Sequence, residues 1–494
     1  MLNQLKQTME MKQTENGANA YNSTMNKCLD LFALGGAYRG RTDEDIIKLF
    51  FDAYKEDKQT ALRLLFYLRD CRGGQGERRF FRVAMKNLAM QDPSSVKRVA
   101  HLVAEYGRYD DFFCFADTPV EELAFEYLKQ QLMEDKDAEF PTLCAKWMPS
   151  ENASSALTKA YARKLRHFLG MNSRDYRKML SAIRAKLHLV ETLMSENRWS
   201  EIEYEKIPSK AGLQYRYAFA RHDYERYNDF MTPVENEAPK VNAGTLYPYE
   251  IVSRVMRYCN SWRGVFTGDT LDRNTLNAYW ANLPDYLNGE SSNALAVVDV
   301  SGSMSGTPME VAVSLGMYMA EKNTGAFANH VMTFSKKPEL IELDGKDFCD
   351  NVAKVVSSEW GYNTNLKATF DLILNTAKKF NLPQSEIPEM LYIISDMEFD
   401  RAVGQDYDTV IEMCKKEFEA AGYKLPYLVF WNVDARQNTL PVIGAGDYAL
   451  VSGFSPSIFE QVITKKSAME LMMDVVNSDR YSRIVLYWRR NFPP

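Results

Sequence analysis

The sequence lacks any long apolar run. Nothing in its 494 residues approaches the roughly 20 consecutive apolar residues of a membrane-spanning helix. Its first stretch, "MLNQLKQTMEMKQTENGANAYNST", has neither the apolar core of an export signal nor the Arg-rich amphipathic pattern of an organelle import segment; it reads as a flexible polar leader over 1–24. The 7 cysteines lie far apart and form no CxxC pair. That argues against a disulfide framework or a thiolate zinc site and suits a reducing compartment. The 5 histidines form no HxxxH pair. A cytoplasmic protein with no membrane partner is the expectation.

An excess of positive charge is also missing. The net charge is −6, with residues 1–290 at +1 and residues 291–494 at −7. Global electrostatics therefore do not advertise nucleic acid, and any such site must be a local patch. Charged residues at 26% and hydrophobic ones at 46% describe an ordinary globular composition. The length calls for more than one core.

What is present changes character near residue 290. Before it, helical spacing dominates. Ile46, Leu49, Phe50 and Ala53 recur at i, i+3, i+4 and i+7, and Leu62, Leu65, Phe66 and Arg69 do likewise. Thr42 or Asp43 can cap the first of these helices. Residues 25–290 thus read as an all-α, helical-repeat-like array, although no clean repeat period is visible. After residue 290, β-rich apolar runs ("ALAVVDV", "EMLYIISDM", "LPYLVFWNV") alternate with helical ones. Strands flanked by helices imply a mostly parallel sheet covered on both faces, so 291–494 reads as a doubly wound α/β domain. Ligands of such sheets bind beyond the C-terminal strand ends.

At one such end stands "NALAVVDVSGSMSG", residues 293–306. A hydrolase elbow needs Ser at the centre of G-x-S-x-G, but Gly302 and Gly306 flank Met304. A phosphoaspartate site expects a carboxylate where Ser301 stands, and a phosphate-binding loop would need a Lys. A metal cup fits better. Asp299, Ser301 and Ser303 alternate, so their oxygens can point one way, and such oxygens suit Mg²⁺ or Mn²⁺. "WGYNTNL" adds Thr364 ahead of a helix, and "YIISDMEFD" adds Asp396 directly after a strand. The plainer alternative is that these residues are only turn-formers and caps.

The set Asp-x-Ser-x-Ser, Thr and Asp resembles the metal-ion-dependent adhesion site of von Willebrand factor A domains. The resemblance implies that Ser301, Ser303 and Thr364 bind the ion directly, with Asp299 and Asp396 acting through water or by orienting the hydroxyls. Neutral hydroxyls leave a dication under-neutralised, so an open position attracts an anionic oxygen, such as the acidic side chain of a protein partner. No residue of these loops is an obvious general base, so no enzyme is expected.

In the helical part, "RDCRGGQGERRFFR", "YGRYDDFF", "KWMPSENASS" and "YRKMLSAIRAKLHLVE", with the downstream domain, resemble a family of unknown function that is helical in front and A-type behind, over roughly 25–460. "RDCRGGQGER" and "GRYDD" are similar to parts of the TROVE module of Ro ribonucleoproteins, in which a helical ring closed by an A domain binds RNA. That likeness implies an RNA partner. Residues 151–190 carry a net +7, with aromatics between the cations that could stack unpaired bases. The candidate RNA contacts are Arg69, Arg72, Arg78 and Arg79 in the first stretch, and Lys159, Arg163, Lys164, Arg166, Arg174, Arg177 and Lys178 in the second. The competing reading is a solvated helix face, with Arg69 or Arg72 pairing with nearby acids.

Overall fold

The computed structural model describes residues 8–235, 237–260, 264–287, 289, 293–334, 337–358, 364–402, 409–443 and 446–486. The chain is multidomain: it forms two compact units, and neither is continuous in sequence. The first comprises residues 1–42 and 204–475, the second 43–203 and 476–494. Among the described residues no helix is long and apolar enough to cross a membrane.

The first unit opens with a hairpin of β1 (Met11–Gln13) and β2 (Asn19–Tyr21). A short pair follows, β3 (Cys259–Asn260) and β4 (Val265–Phe266). The main sheet has six strands: β5 (Ala294–Asp299), β6 (His330–Phe334), β7 (Glu339–Glu342), β8 (Met390–Ser395), β9 (Tyr427–Asn432) and β10 (Tyr448–Ser452). Their order is β10-β9-β8-β5-β6-β7. Every pairing is parallel except that of the edge strand β7 with β6. The runs "ALAVVD", "MLYIIS" and "YLVFWN" are buried at every position, as strands covered on both faces must be. The helix Thr307–Lys322 packs on β5, β6 and β8. Its Gly316 lies so near Val298 and Val331 that a Cβ would collide with them.

This unit draws in more of the chain than the sequence suggests. Residues 8–42, partly expected as a free leader, are bound to the sheet: the Gly36 amide donates to Ser452 Oγ at 3.0 Å, and the helix Lys27–Leu34 packs on β10. Helices Pro248–Met256 and Thr270–Ala281, expected in the helical array, pack instead on the sheet unit's helix Phe348–Ser357. The Trp280 ring stacks on Phe348 with centroids 4.1 Å apart, and Arg273 pairs with Asp347 and Asp350 at 2.9 Å each. The expected boundaries at 24/25 and 290/291 are therefore not where the compact units divide. Long-range packing decides, and composition along the chain does not report it.

The second unit is helical, from Asp43–Glu56 through Lys58–Arg69, Arg78–Gln91 and Glu121–Asp137 to Ala156–Phe168 and Ser173–Lys186. Its helix starts carry the side chains that satisfy orphan N–H groups. Asp57 accepts from Gln59 and Thr60, Asp92 from Ser95, Ser155 from Thr158 and Asn172 from Asp175. The C-terminal segment belongs here too: Arg480 and Tyr481 both donate to the buried Asp70 carboxylate.

Candidate metal centre

The β5 run ends on Asp299, whose carboxylate is fully buried. One oxygen accepts the Ser301 amide at 2.9 Å and the other the Ser395 hydroxyl at 2.6 Å, from the end of β8. Asp299 thus shapes the loop and ties it to the neighbouring strand. The loop runs through a tight turn at Gly302–Met304, with Met304 buried beneath it. Gly306, at φ 88°, then starts the helix Thr307–Lys322, a conformation in which a Cβ would be strained. Ser301 is buried and Ser303 exposed, and their hydroxyl oxygens stand 3.0 Å apart.

Thr364 is buried just before Asn365, which caps the helix Leu366–Phe380 by accepting the Ala368 amide. Residues 360–363 of the quoted "WGYNTNL" loop lie outside the described residues. The Thr364 hydroxyl accepts from Asn16 Nδ2 at 3.0 Å, and its carbonyl accepts the Asp400 amide at 3.0 Å. Asp396, also buried, follows β8. It accepts the Glu398 amide at 3.1 Å and Arg436 Nη2 at 2.6 Å. Burial, and then the nearby Asp396, push the Asp299 carboxyl well above the ordinary carboxylate range. Two buried carboxylates side by side create a demand for positive charge.

The donor set suits a hard dication. At the 2.0–2.1 Å bond length of Mg²⁺, neighbouring ligands of an octahedron lie about 2.9 Å apart, close to the spacing of the two serine hydroxyls. All four carboxylate oxygens of Asp299 and Asp396 accept hydrogen bonds, which lets these two groups orient the Ser301 and Glu398 amides, the Ser395 hydroxyl and Arg436. Among the described residues no three His, Cys, Asp or Glu side chains group to hold a metal; any ion here depends on hydroxyls. Sequence reasoning missed Ser395, Arg436 and Asn16. Arg436 lies four residues after the end of β9, in the loop beyond that strand's C-terminal end, where the strand-end rule could have found it. Asn16 left no signal, because it lies in a polar segment hundreds of residues away.

The candidate RNA residues separate into two groups. Arg69 is 3% exposed and pairs with the fully buried Asp111 at 2.7 Å. Arg82 reaches the other oxygen of Asp111 at 2.6 Å, and Arg108 pairs with Asp110 at 2.7 Å. Arg69 of one TROVE-like string and Asp111 of the other are therefore joined in a buried ion pair, and Arg69 is not available to a phosphate. Arg72 donates to the Glu105 carbonyl at 2.8 Å, and Arg79 pairs with Asp43. Burial holds Arg78 below its ordinary value, with help from Arg108 and Arg82. Lys164 pairs with Asp117 at 2.6 Å and Glu121 at 3.0 Å, and Arg166 with Glu151 at 2.8 Å. Arg163, Arg174, Arg177 and Lys178 are exposed, and Lys159 is half-buried. Of these, Arg177 donates to the Ser173 carbonyl at 3.1 Å. Arg174, Arg177 and Lys178 share one helix face by their i, i+3, i+4 spacing.

Residues 14–105 and 109–292 match the family model of a domain of unknown function, DUF2828, and residues 293–483 match a second, DUF7788. The uncharacterized protein L728 of Acanthamoeba polyphaga mimivirus is 29% identical over 506 residues, covering 94% of this chain and 86% of that one. Among solved structures, the Ro (RSR) protein of Deinococcus radiodurans is similar at a TM-score of 0.41 and 14% identity, over 92% of this chain and 99% of that one. At that score no residue role carries across.

Proposed function

The chain belongs to the DUF2828 family, matched over more than half its length, and from that premise we propose that it is a cytoplasmic, non-enzymatic binding protein built around a von Willebrand A-type domain. Its adhesion-type site takes Mg²⁺ or Mn²⁺ on the hydroxyls of Ser301, Ser303 and Thr364. The carrying observation is the pair of serine hydroxyls 3.0 Å apart on the loop that the buried Asp299 shapes. When bound, the ion supplies an under-neutralised positive charge at the sheet rim that attracts an anionic oxygen. Asp299 holds the Ser301 amide and the Ser395 hydroxyl in place. Asp396 does the same for the Glu398 amide and engages Arg436. The partner that this chemistry selects is a protein presenting an Asp or Glu side chain.

Manganese titration by electron paramagnetic resonance tests the reading. Saturable binding of one ion that falls at least tenfold in Ser301→Ala, with an unchanged circular dichroism spectrum, supports it. No saturable binding, or binding indifferent to Ser301→Ala, refutes it.

A second reading, RNA binding by the helical unit, is favoured by one observation. The exposed Arg163, Arg174 and Lys178 form no ion pair among the described residues, whereas Lys164 and Arg166 on the same stretch do. Cations outside an ion pair are the ones that can neutralise phosphates, although Arg163 still feels Glu151, the partner of Arg166.

A further inference from the structure

The β1–β2 hairpin, from a segment whose sequence reads as a free leader, reaches two of the three loops of the metal cup. Thr14 Oγ1 donates to the Phe399 carbonyl at 2.7 Å, and the Glu15 amide donates to Glu398 Oε2 at 2.7 Å. The Arg401 amide donates to the Asn16 carbonyl at 3.1 Å, and Gly17 bridges to Asp400. The Glu15 carboxylate lies 3.3 Å from Arg436, the residue paired with Asp396. Further along, Tyr21 and Leu440 exchange both backbone hydrogen bonds.

The turn places one side chain on a candidate ligand. Asn16 Nδ2 stands 3.0 Å from Thr364 Oγ1 and 2.6 Å from the Glu398 carbonyl. A carbonyl only accepts, so the nearer contact fixes which end of the amide is nitrogen. Both amide hydrogens are then committed. A threonine hydroxyl has two lone pairs and one proton. With one lone pair held by Asn16, rotation of the buried hydroxyl is restricted, and its proton and second lone pair are confined to the two remaining positions. A ligand oxygen that is already oriented loses less on binding than one that must be ordered.

We propose that Asn16 is a positioning residue of the cation site. Its amide presets the Thr364 hydroxyl, and through it the N-terminal hairpin sets the affinity for the divalent ion. This role rests on the metal reading given above.

The test is Mn²⁺ binding by the full chain in a double-mutant cycle of Asn16→Ala and Thr364→Ala, paired with amide exchange of the ion-free proteins. Asn16→Ala weakens binding about tenfold or more in the wild-type background and changes nothing further in the Thr364→Ala background. Exchange at the Asp400 and Arg401 amides speeds up, while the amides of β5 and β8 stay protected. Wild-type or tighter affinity in Asn16→Ala, the latter meaning that the hairpin obstructs the cup, overturns the role while leaving the metal reading intact. An equal loss in both backgrounds also overturns it, since the effect then does not pass through Thr364. A wild type that binds no Mn²⁺ overturns the metal reading and this role together.

Discussion

Replacing Asp111 by Asn tests whether the Arg- and Asp-rich strings of the helical unit are internal structure. The Asp111 carboxylate is fully buried. It receives Arg69 at 2.7 Å, Arg82 at 2.6 Å and the Arg108 amide at 2.9 Å. Asn is isosteric but neutral and keeps one accepting oxygen. The Arg69 guanidinium, 3% exposed, would then be a buried charge without its counter-ion. Breaking such a pair from one side costs about 3–5 kcal/mol. Arg82 contributes less, because it is partly exposed and keeps Asp110 at 2.9 Å. Two compact units need not unfold in one step, so the readout is amide exchange in the helices Lys58–Arg69 and Arg78–Gln91. At 1.4 kcal/mol per decade, exchange there accelerates by roughly two to three and a half orders of magnitude. The double variant Arg69→Met, Asp111→Leu recovers more than half of the loss, since it removes both charges together. An Asp111→Asn effect below about 1 kcal/mol would mean that water reaches the network, and the burial argument would fail.

Other perturbations separate the remaining claims. Gly316→Val forces a branched side chain against Val298 and Val331 and should lower the thermal midpoint of the sheet unit, at a cost of about 1–3 kcal/mol for overpacking. Burial raises the Asp110 carboxyl, but Arg82 and Arg108 outweigh it and hold it below its ordinary value. Its stabilisation is thus complete above the unfolded pKa of about 3.9 and is lost as pH falls further; Asp110→Asn should flatten the acid limb of a stability-against-pH curve. Mg²⁺ at a hundredfold excess over its Kd should stabilise the wild type by about 2.7 kcal/mol in thermal unfolding and leave Ser301→Ala unmoved. Reversing charge at Arg163, Arg174 and Lys178 should weaken single-stranded RNA binding and reduce the log–log salt slope by about 2 in filter binding; an unchanged slope would remove phosphate contact from this face.

The sheet was legible because β5, β8 and β9 are unbroken apolar runs, and a run buried on both faces leaves little choice of neighbour. Asp299 and Asp396 were legible for the same reason: a carboxylate directly after such a run sits at the sheet rim. Arg69 was misassigned to a surface, although the sequence held the contrary signal. It occupies the fourth position of the stripe Leu62, Leu65, Phe66, Arg69, and a cation in core register calls for a buried acid, which Asp111 supplies. The membership of the units was not legible. Helical periodicity reports that a stripe is buried without saying against what, so Thr270–Ala281 carries no mark that it packs on Phe348–Ser357.

The discontinuity of the sheet unit has a consequence for its site. Asn16, Thr364 and Glu398 on one side, and Glu15 and Arg436 on the other, come together only when the start of the chain has closed onto the segments after β8 and β9, and residues 43–203, most of the helical unit, lie between residues 42 and 204. Contacts of such separation form late, because loop closure must precede them. Until they form, Thr364 lacks Asn16 and Arg436 lacks Glu15. Burying Asp299 beside Asp396 is itself unfavourable, as the upward displacement of the Asp299 carboxyl records. Arg436 offsets part of that cost at one end of the pair, and a dication on the hydroxyls would offset it at the other. Under the proposed reading, a bound cation therefore favours the closed hairpin, and Asn16→Ala should weaken Mn²⁺ binding and loosen the segment after β8 while β5 and β8 themselves stay protected.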